Sequence, residues 1–213
     1  MTESGEYLVD IPVEGGDVHL EGELIVPDGA SGLVVFAHGS GSSRKSPRNN
    51  YVAEVIRDAG VGTLLFDLLT EAEDTDYETR FDIPLLTERL LAVTDWLATR
   101  EETMDLTVGY FGSSTGAAAG LRAAARNPEA GAVVSRGGRV DLAEAVLADV
   151  DAPTLFVVGG ADTSVLELNR DAFEQLTCEK TLEVIEGAGH LFEGAGQLEA
   201  VARLAADWFA DHL

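Results

Sequence analysis

Apolar and polar positions alternate along this chain in two rhythms. Residues 6–13 (EYLVDIPV) and 17–27 (DVHLEGELIVP) switch polarity about every second position, as strands with one wet face do, and Glu14-Gly15-Gly16 between them reads as the turn of an antiparallel hairpin. Beyond the hairpin the apolar runs become short and uninterrupted, at 32–38, 61–67, 105–111, 130–135, 153–159 and 180–186. Such β-branched runs predict strands covered on both faces. The segments between them carry apolar residues at helical spacing, as Leu85, Leu86, Leu90, Val93 and Leu97 do, and predict helices at 48–59, 83–100, 115–126, 139–148, 165–177 and 195–212. Trp96 and Trp208 fall inside these helices and read as packing residues.

This alternation predicts an α/β fold: a mostly parallel eight-stranded sheet opened by an N-terminal antiparallel hairpin, with helices on both faces. No linker, repeat or composition shift interrupts it, so residues 1–213 read as a single domain. Only residues 136–152 separate the sixth and seventh strands, which leaves no room for a cap domain over the carboxyl edge of the sheet. The acidic stretch 70–82 (TEAEDTDYETRFD) reads either as a solvated loop or as an edge of the site.

The pattern also locates the chemistry. The fifth strand runs into Gly112-Ser113-Ser114-Thr115-Gly116 and then directly into an alanine-rich helix. A serine on so sharp a strand-to-helix turn needs glycines on both sides and presents its hydroxyl at the sheet edge, which makes Ser114 the candidate nucleophile. A serine hydroxyl needs a base, and imidazole titrates nearest neutral pH. Of the four histidines, His19 lies in the hairpin and His212 is penultimate, where it is expected to fray, whereas His38 and His190 follow strands. His190, in the glycine loop Gly187-Ala188-Gly189-His190, is the candidate base. Asp162, in Gly159-Gly160-Ala161-Asp162, is the candidate carboxylate, and the order Ser114, Asp162, His190 is the one this fold uses. The oxyanion donors are expected to be the backbone N–H groups of Thr115 and Ser40, with Gly41 the second choice for the latter.

Composition changes the picture at the surface. With 14 Lys+Arg against 38 Asp+Glu the chain carries a net charge of −24, which excludes nucleic acid and anionic membranes as partners, yet 46% of its residues are hydrophobic, so it folds. Lys45 and Lys180 are the only lysines, and an acidic, lysine-poor composition is that of a protein adapted to molar salt. One cysteine, Cys178, excludes an internal disulfide, and no metal-ligand cluster or phosphate loop is visible, so neither a metal nor a cofactor is expected. Without a leader-like N-terminus or a membrane-length apolar run, the chain reads as soluble and cytoplasmic. Nothing indicates a homo-oligomer, although none is excluded.

His38-Gly39-Ser40-Gly41, Gly112-x-Ser114-x-Gly116, Gly159-Gly160-Ala161-Asp162 and Gly189-His190, in this order, resemble the α/β-hydrolase superfamily and most closely its small dienelactone-hydrolase-like branch. The resemblance runs from about residue 18 to 212 and implies the α/β-hydrolase fold with a Ser–Asp–His hydrolase site. One departure stands out: characterised members of that branch resemble one another in a cysteine nucleophile, where this chain has Ser114, so a lactone substrate is not implied.

Two basic clusters sit at the carboxyl edge, Arg44-Lys45-Ser46-Pro47-Arg48 and Arg136-Gly137-Gly138-Arg139. His38, Gly41, Arg44, Arg48, Arg136 and Arg139 are accordingly candidate substrate-binding residues, either for a small anionic ester or, for the arginines, merely as partners of surface acids. The function expected is hydrolysis of a carboxylic ester, thioester or lactone through an acyl-serine. An acyltransferase or peptidase-like enzyme on the same residues, and a non-catalytic binding module of the same fold, are the alternatives.

Overall fold

The computed structural model describes residues 5–213. Eight strands form one sheet: β1 (Gly5–Val13), β2 (Val18–Val26), β3 (Gly32–Ala37), β4 (Gly62–Phe66), β5 (Thr107–Ser113), β6 (Val133–Arg136), β7 (Thr154–Gly159) and β8 (Lys180–Ile185), in the spatial order β1-β2-β4-β3-β5-β6-β7-β8. β1 pairs antiparallel with β2, and β2 antiparallel with β4; every later pairing is parallel. The hairpin turn Glu14-Gly15-Gly16 is a single 3₁₀ turn with all three residues at positive φ, which the two glycines accept without strain.

Five α-helices cover the sheet: α1 (Pro47–Asp58), α2 (Ile83–Leu97), α3 (Thr115–Arg126), α4 (Thr163–Gln175) and α5 (Gln197–His212). Val52, Ala53 and Ile56 of α1 and Val201, Ala202, Ala205 and Phe209 of α5 pack on one face, against Val34, Phe111, Val134 and Val157. α2, α3 and α4 pack on the other, against Leu33, Val35, Leu64, Tyr110 and Val133. Except at the edge strand β8, none of whose residues is buried, the continuous apolar runs do what they predict, burying one set of alternate residues under each helix layer. Nine of the twelve residues of α3 are buried, and its alanines let the helix axis lie close to the strands.

Two helix starts, those of α1 and α2, are written in the sequence as side-chain caps. The Ser46 side chain accepts from Asn49 N–H and Asp82 from Leu85 N–H, with a proline in the first turn of each helix; such a cap is worth about 1 kcal/mol. One expected helix is different in kind: residues Val140–Asp149 wind as a 3₁₀ segment. Val140, Ala143 and Leu147 still face the core, and that spacing is met by the tighter winding as well as by an α-helix. His212 does not fray either, because its ring lies against Trp208 with centroids 4.4 Å apart and its Nδ1 bonds Trp208 O. No helix among the described residues is long and apolar enough to cross a membrane.

Candidate active site

Ser114 stands between β5 and α3 with φ 51° and ψ −120°, a backbone conformation that L-residues avoid. The flanking glycines are required by contact. A Cβ on Gly112 would lie 2.3 Å from Ala117 Cα, and one on Gly116 2.1 Å from the carbonyl oxygen of Ala37. The turn is also bound from the side: Ser114 N–H donates to Arg136 O (3.3 Å), and Arg139 N–H donates to Ser114 O (3.0 Å). The segment 136–139 is thus part of the scaffold that holds the serine.

His190 Nδ1 lies 2.7 Å from Asp162 Oδ2. With Nδ1–H donating to the carboxylate, the neutral ring leaves Nε2 free of a proton, the state in which it can accept one. The two loops that carry this pair are stitched together by Ala161 N–H donating to Ala188 O (2.9 Å), and a Cβ on Gly159 would come within 2.3 Å of that same oxygen. This explains the first glycine of Gly159-Gly160-Ala161-Asp162. The imidazole stands over Gly137, whose Cβ, if present, would be 3.4 Å from His190 Cε1 and Nδ1. Gly137 follows the residue that receives the Ser114 N–H, so His190 is brought beside the serine turn. Among the described residues no hydrogen bond joins Ser114 Oγ to His190; the imidazole is 40% exposed and Asp162 18%.

The Ser40 loop packs on the same turn. A Cβ on Gly39 would be 3.1 Å from Ser114 Cβ. Ser40 N–H, an expected oxyanion donor, is occupied: it donates to Thr115 Oγ1 at 2.9 Å. The sequence offered no sign of this bond beyond the presence of a hydroxyl residue directly after Ser114.

The candidate substrate-binding residues divide. His38 is buried with both ring nitrogens satisfied by backbone, Nδ1 by Gly39 O and Nε2 by Leu68 N–H, each at 3.0 Å. It ties the Ser40 loop to the segment after β4 while one edge of its ring lines the depressions beside Gly39 and Asp67. Burial pushes its pKa below the ordinary 6.5, partly opposed by the Gly39 carbonyl and by Asp67 and Asp74. Arg44 is held by Asp67 and by Glu21 (2.5 Å), and Arg139 by both carboxylate oxygens of Asp141 (2.9 and 2.8 Å). These two arginines pair with acids. Gly41 is exposed at φ 70°, with the Arg80 guanidinium nearby. Arg48 and Arg136 form no ion pair among the described residues.

The acidic stretch 70–82 is folded into two 3₁₀ turns, Glu73–Thr75 and Thr79–Phe81, and pinned by Arg89–Glu73 (2.7 Å) and Arg80–Asp74 (3.1 Å). Asp74 and Arg80 of this stretch line a small depression with His38, Gly39, Ser40 and Gly41, which contains none of Ser114, Asp162 and His190. A separate cleft of about 420 Å³ lies between it and the hairpin, walled by His19, Glu21, Arg44, Asp67 and Asp74, and contains none of Ser114, Asp162 and His190.

A mostly parallel sheet of this order, with a strained serine on the strand–helix turn after β5 and an Asp–His pair on the loops after β7 and β8, defines an α/β-hydrolase fold. Within that fold the chain belongs to the dienelactone hydrolase family, whose model matches residues 25–211. It superposes on the crystal structure of dienelactone hydrolase from Anabaena variabilis with a TM-score of 0.95 and 55% identity over the whole of both chains. Est1E from Butyrivibrio proteoclasticus shares the fold at TM-score 0.81 and 18% identity, over 98% of this chain and 99% of that one. A Mycobacterium tuberculosis protein provisionally named a phosphoribosyl transferase is 56% identical over 206 residues, 96% of this chain and 46% of its own length. The chain therefore spans about half the length of the curated relatives it matches, and their name describes a protein of which more than half lies outside the match.

Proposed function

We propose that this protein is a serine hydrolase that cleaves a carboxylic ester, thioester or lactone through an acyl-Ser114 intermediate. The observation that carries the reading is the combination of the strained Ser114 turn with the 2.7 Å Asp162–His190 pair at the same sheet edge. His190 Nε2 takes the Ser114 proton as Oγ bonds the substrate carbonyl carbon. It returns that proton to the leaving oxygen or sulfur as the carbonyl–heteroatom bond breaks. Water then repeats the sequence, losing its proton to His190 and releasing the acid and free Ser114. Asp162 holds the tautomer and stabilises the imidazolium. The Ser114–His190 hydrogen bond forms as substrate closes the site, where such bonds tighten.

The oxyanion is received by Thr115 N–H and Ser40 N–H. In the resting site Ser40 N–H is satisfied by a neutral hydroxyl, Thr115 Oγ1. A developing alkoxide is the stronger acceptor, so the donor changes partner as charge appears, and the interaction gained belongs to the transition state rather than to bound substrate. Support for hydrolysis comes from the family as well.

The test is active-site labelling. A fluorophosphonate probe should label wild type, fail on Ser114→Ala and label Asp162→Asn slowly, and Asp162→Asn should lower kcat on a 4-nitrophenyl ester by about 10⁴-fold. Labelling that persists in Ser114→Ala would show that the nucleophile lies elsewhere.

A further inference from the structure

The buried face of α4 is made by Leu166, Asn169 and Ala172, at the spacing of one helical stripe. The middle residue is polar. Asn169 is 0% exposed, and its side-chain nitrogen donates to Val165 O (2.8 Å), one turn earlier in the helix, and to Gly138 O (2.9 Å), on the loop after β6. Both partners are carbonyls, so the amide can face them only with its NH₂ end. Its oxygen is left buried with no hydrogen-bond partner. An apolar side chain would complete the stripe and leave no acceptor unmade, so the amide is kept at some cost in stability. What it supplies is the bond to Gly138.

That bond falls where the supports of Ser114, Asp162 and His190 meet. Toward the serine, Arg136 O accepts from Ser114 N–H (3.3 Å) and Arg139 N–H donates to Ser114 O (3.0 Å). Toward the acid, Gly137 N–H donates to Val157 O of β7 (2.8 Å), and Gly138 O accepts from Asn169 of α4, the helix whose N-cap is Asp162. Toward the base, Gly137 lies beneath the His190 ring. Position 138 admits only glycine, because a Cβ there would lie 2.1 Å from Ser135 Oγ and 2.7 Å from Ala117 Cβ. Gly137, at φ 52°, and Gly138 form a pliable pair with no side chains of their own to hold the loop in place. Of the bonds that clamp it, the one from Asn169 is the one a side chain makes.

We propose that Asn169 is a positioning residue for the hydrolytic site. By fixing Gly138 it sets the height of Gly137 under His190 and, through Arg139 N–H, the seat of Ser114, and so the separation of imidazole and hydroxyl. This inference deepens the proposed hydrolase reading and rests on it. Without the amide, Gly138 O becomes a buried carbonyl that has lost its donor, and two successive glycines let it turn away to find another. The loop then shifts under the His190 ring. A displacement of about 1 Å between reacting groups can cost on the order of 10²-fold in rate. Asn169 bonds the loop and not the substrate, so the loss falls on kcat and spares KM.

Asn169→Leu and Asn169→Ser both delete the bond to Gly138 O, one with a bulkier apolar side chain and the other with a smaller polar one. Each should lower kcat on 4-nitrophenyl butyrate by about 10- to 100-fold and leave KM within about twofold. Ala172→Gly, one turn further along the same buried stripe, should lower the melting temperature and leave kcat where it was. The deciding arm is a double-mutant cycle with His190→Ala. Once the imidazole is gone the amide has nothing left to place, so adding Asn169→Ser to His190→Ala should cost less than about threefold in kcat. The same loss in both backgrounds would overturn the proposal, because a general loosening of the fold acts whether or not His190 is present. Asn169→Ser forces no extra volume into the core and decides the matter even where Asn169→Leu folds poorly. Asn169 variants as fast as an active, fluorophosphonate-labelled wild type would sink the positioning role and leave the hydrolase standing. Absence of both turnover and labelling in wild type would sink the hydrolase reading, and the positioning role with it.

Discussion

The conformation of Ser114 makes a prediction independent of any substrate. A serine at φ 51°, ψ −120° stores strain of about 1–3 kcal/mol, which glycine at the same position does not feel. Ser114→Gly and Ser114→Ala both remove the hydroxyl, but alanine keeps the Cβ and with it the strain. Ser114→Gly should therefore melt above Ser114→Ala by roughly 3–8 °C, given about 2–4 °C per kcal/mol for a chain of this size. Equal melting temperatures by calorimetry would mean that the turn is not strained. The same residue shows how sequence and structure divide the work. Gly112 and Gly116 declared the turn, and contacts of 2.3 and 2.1 Å explain why nothing larger fits. The Ser40–Thr115 bond could not be read, because it joins residues 75 positions apart through one side-chain rotamer.

At the scale of elements, what the sequence left open was which side chains at the carboxyl edge face each other. His38, Arg44 and Arg139 begin in loops beside Ser114 and looked equally available to a substrate. Their partners are Asp67 and Leu68, at and just after the end of a predicted strand, and Asp141, two residues beyond Arg139 in the helix predicted over 139–148. Strands, helices and the candidate site order were legible because each follows from spacing of two, three or four residues. A pairing between two loops has no such period. The difference between α- and 3₁₀-winding at Val140–Asp149 was hidden for a related reason, since both place three-to-four-spaced apolar residues inward. His38 turns this into a measurable link between the β3 and β4 loops. Its folded pKa is depressed by burial below 6.5, so the unfolded chain binds a proton that the folded one refuses. The stability His38 contributes is whole above pH 6.5 and is lost as pH falls through its lower folded value, with a slope of up to about 1.4 kcal/mol per pH unit. Urea denaturation between pH 7.5 and 5.5 should show this slope in wild type and lose it in His38→Gln. Parallel curves for the two proteins would deny that the ring is held neutral.

Across the whole molecule the dominant fact is charge. No Asp or Glu is among the buried residues described, so the −24 lies on the outside, where the carboxylates repel one another. Of the two lysines, Lys180 is occupied structurally, donating to Phe173 O and Leu176 O at the end of α4, and Lys45 is left on the surface. The folded state is compact and the unfolded chain is not, so this repulsion falls more heavily on the fold. Salt relieves it: the Debye length shrinks from about 10 Å at 0.1 M to about 3 Å at 1 M, below the spacing of most surface carboxylates. We propose that the coat is an adaptation to high salt, which makes melting temperature the quantity to follow. Between 0.1 and 1 M KCl it should rise by roughly 5–10 °C, a gain of about 2–3 kcal/mol at the scale that applies to this size. The rise should flatten above 1 M, because a potential already screened to 3 Å has little left to lose. A rise that continues linearly to 3 M, and is far steeper in sulfate than in chloride, would reveal exclusion of salt from the surface rather than relief of repulsion, since exclusion has no reason to saturate at the Debye length of the coat.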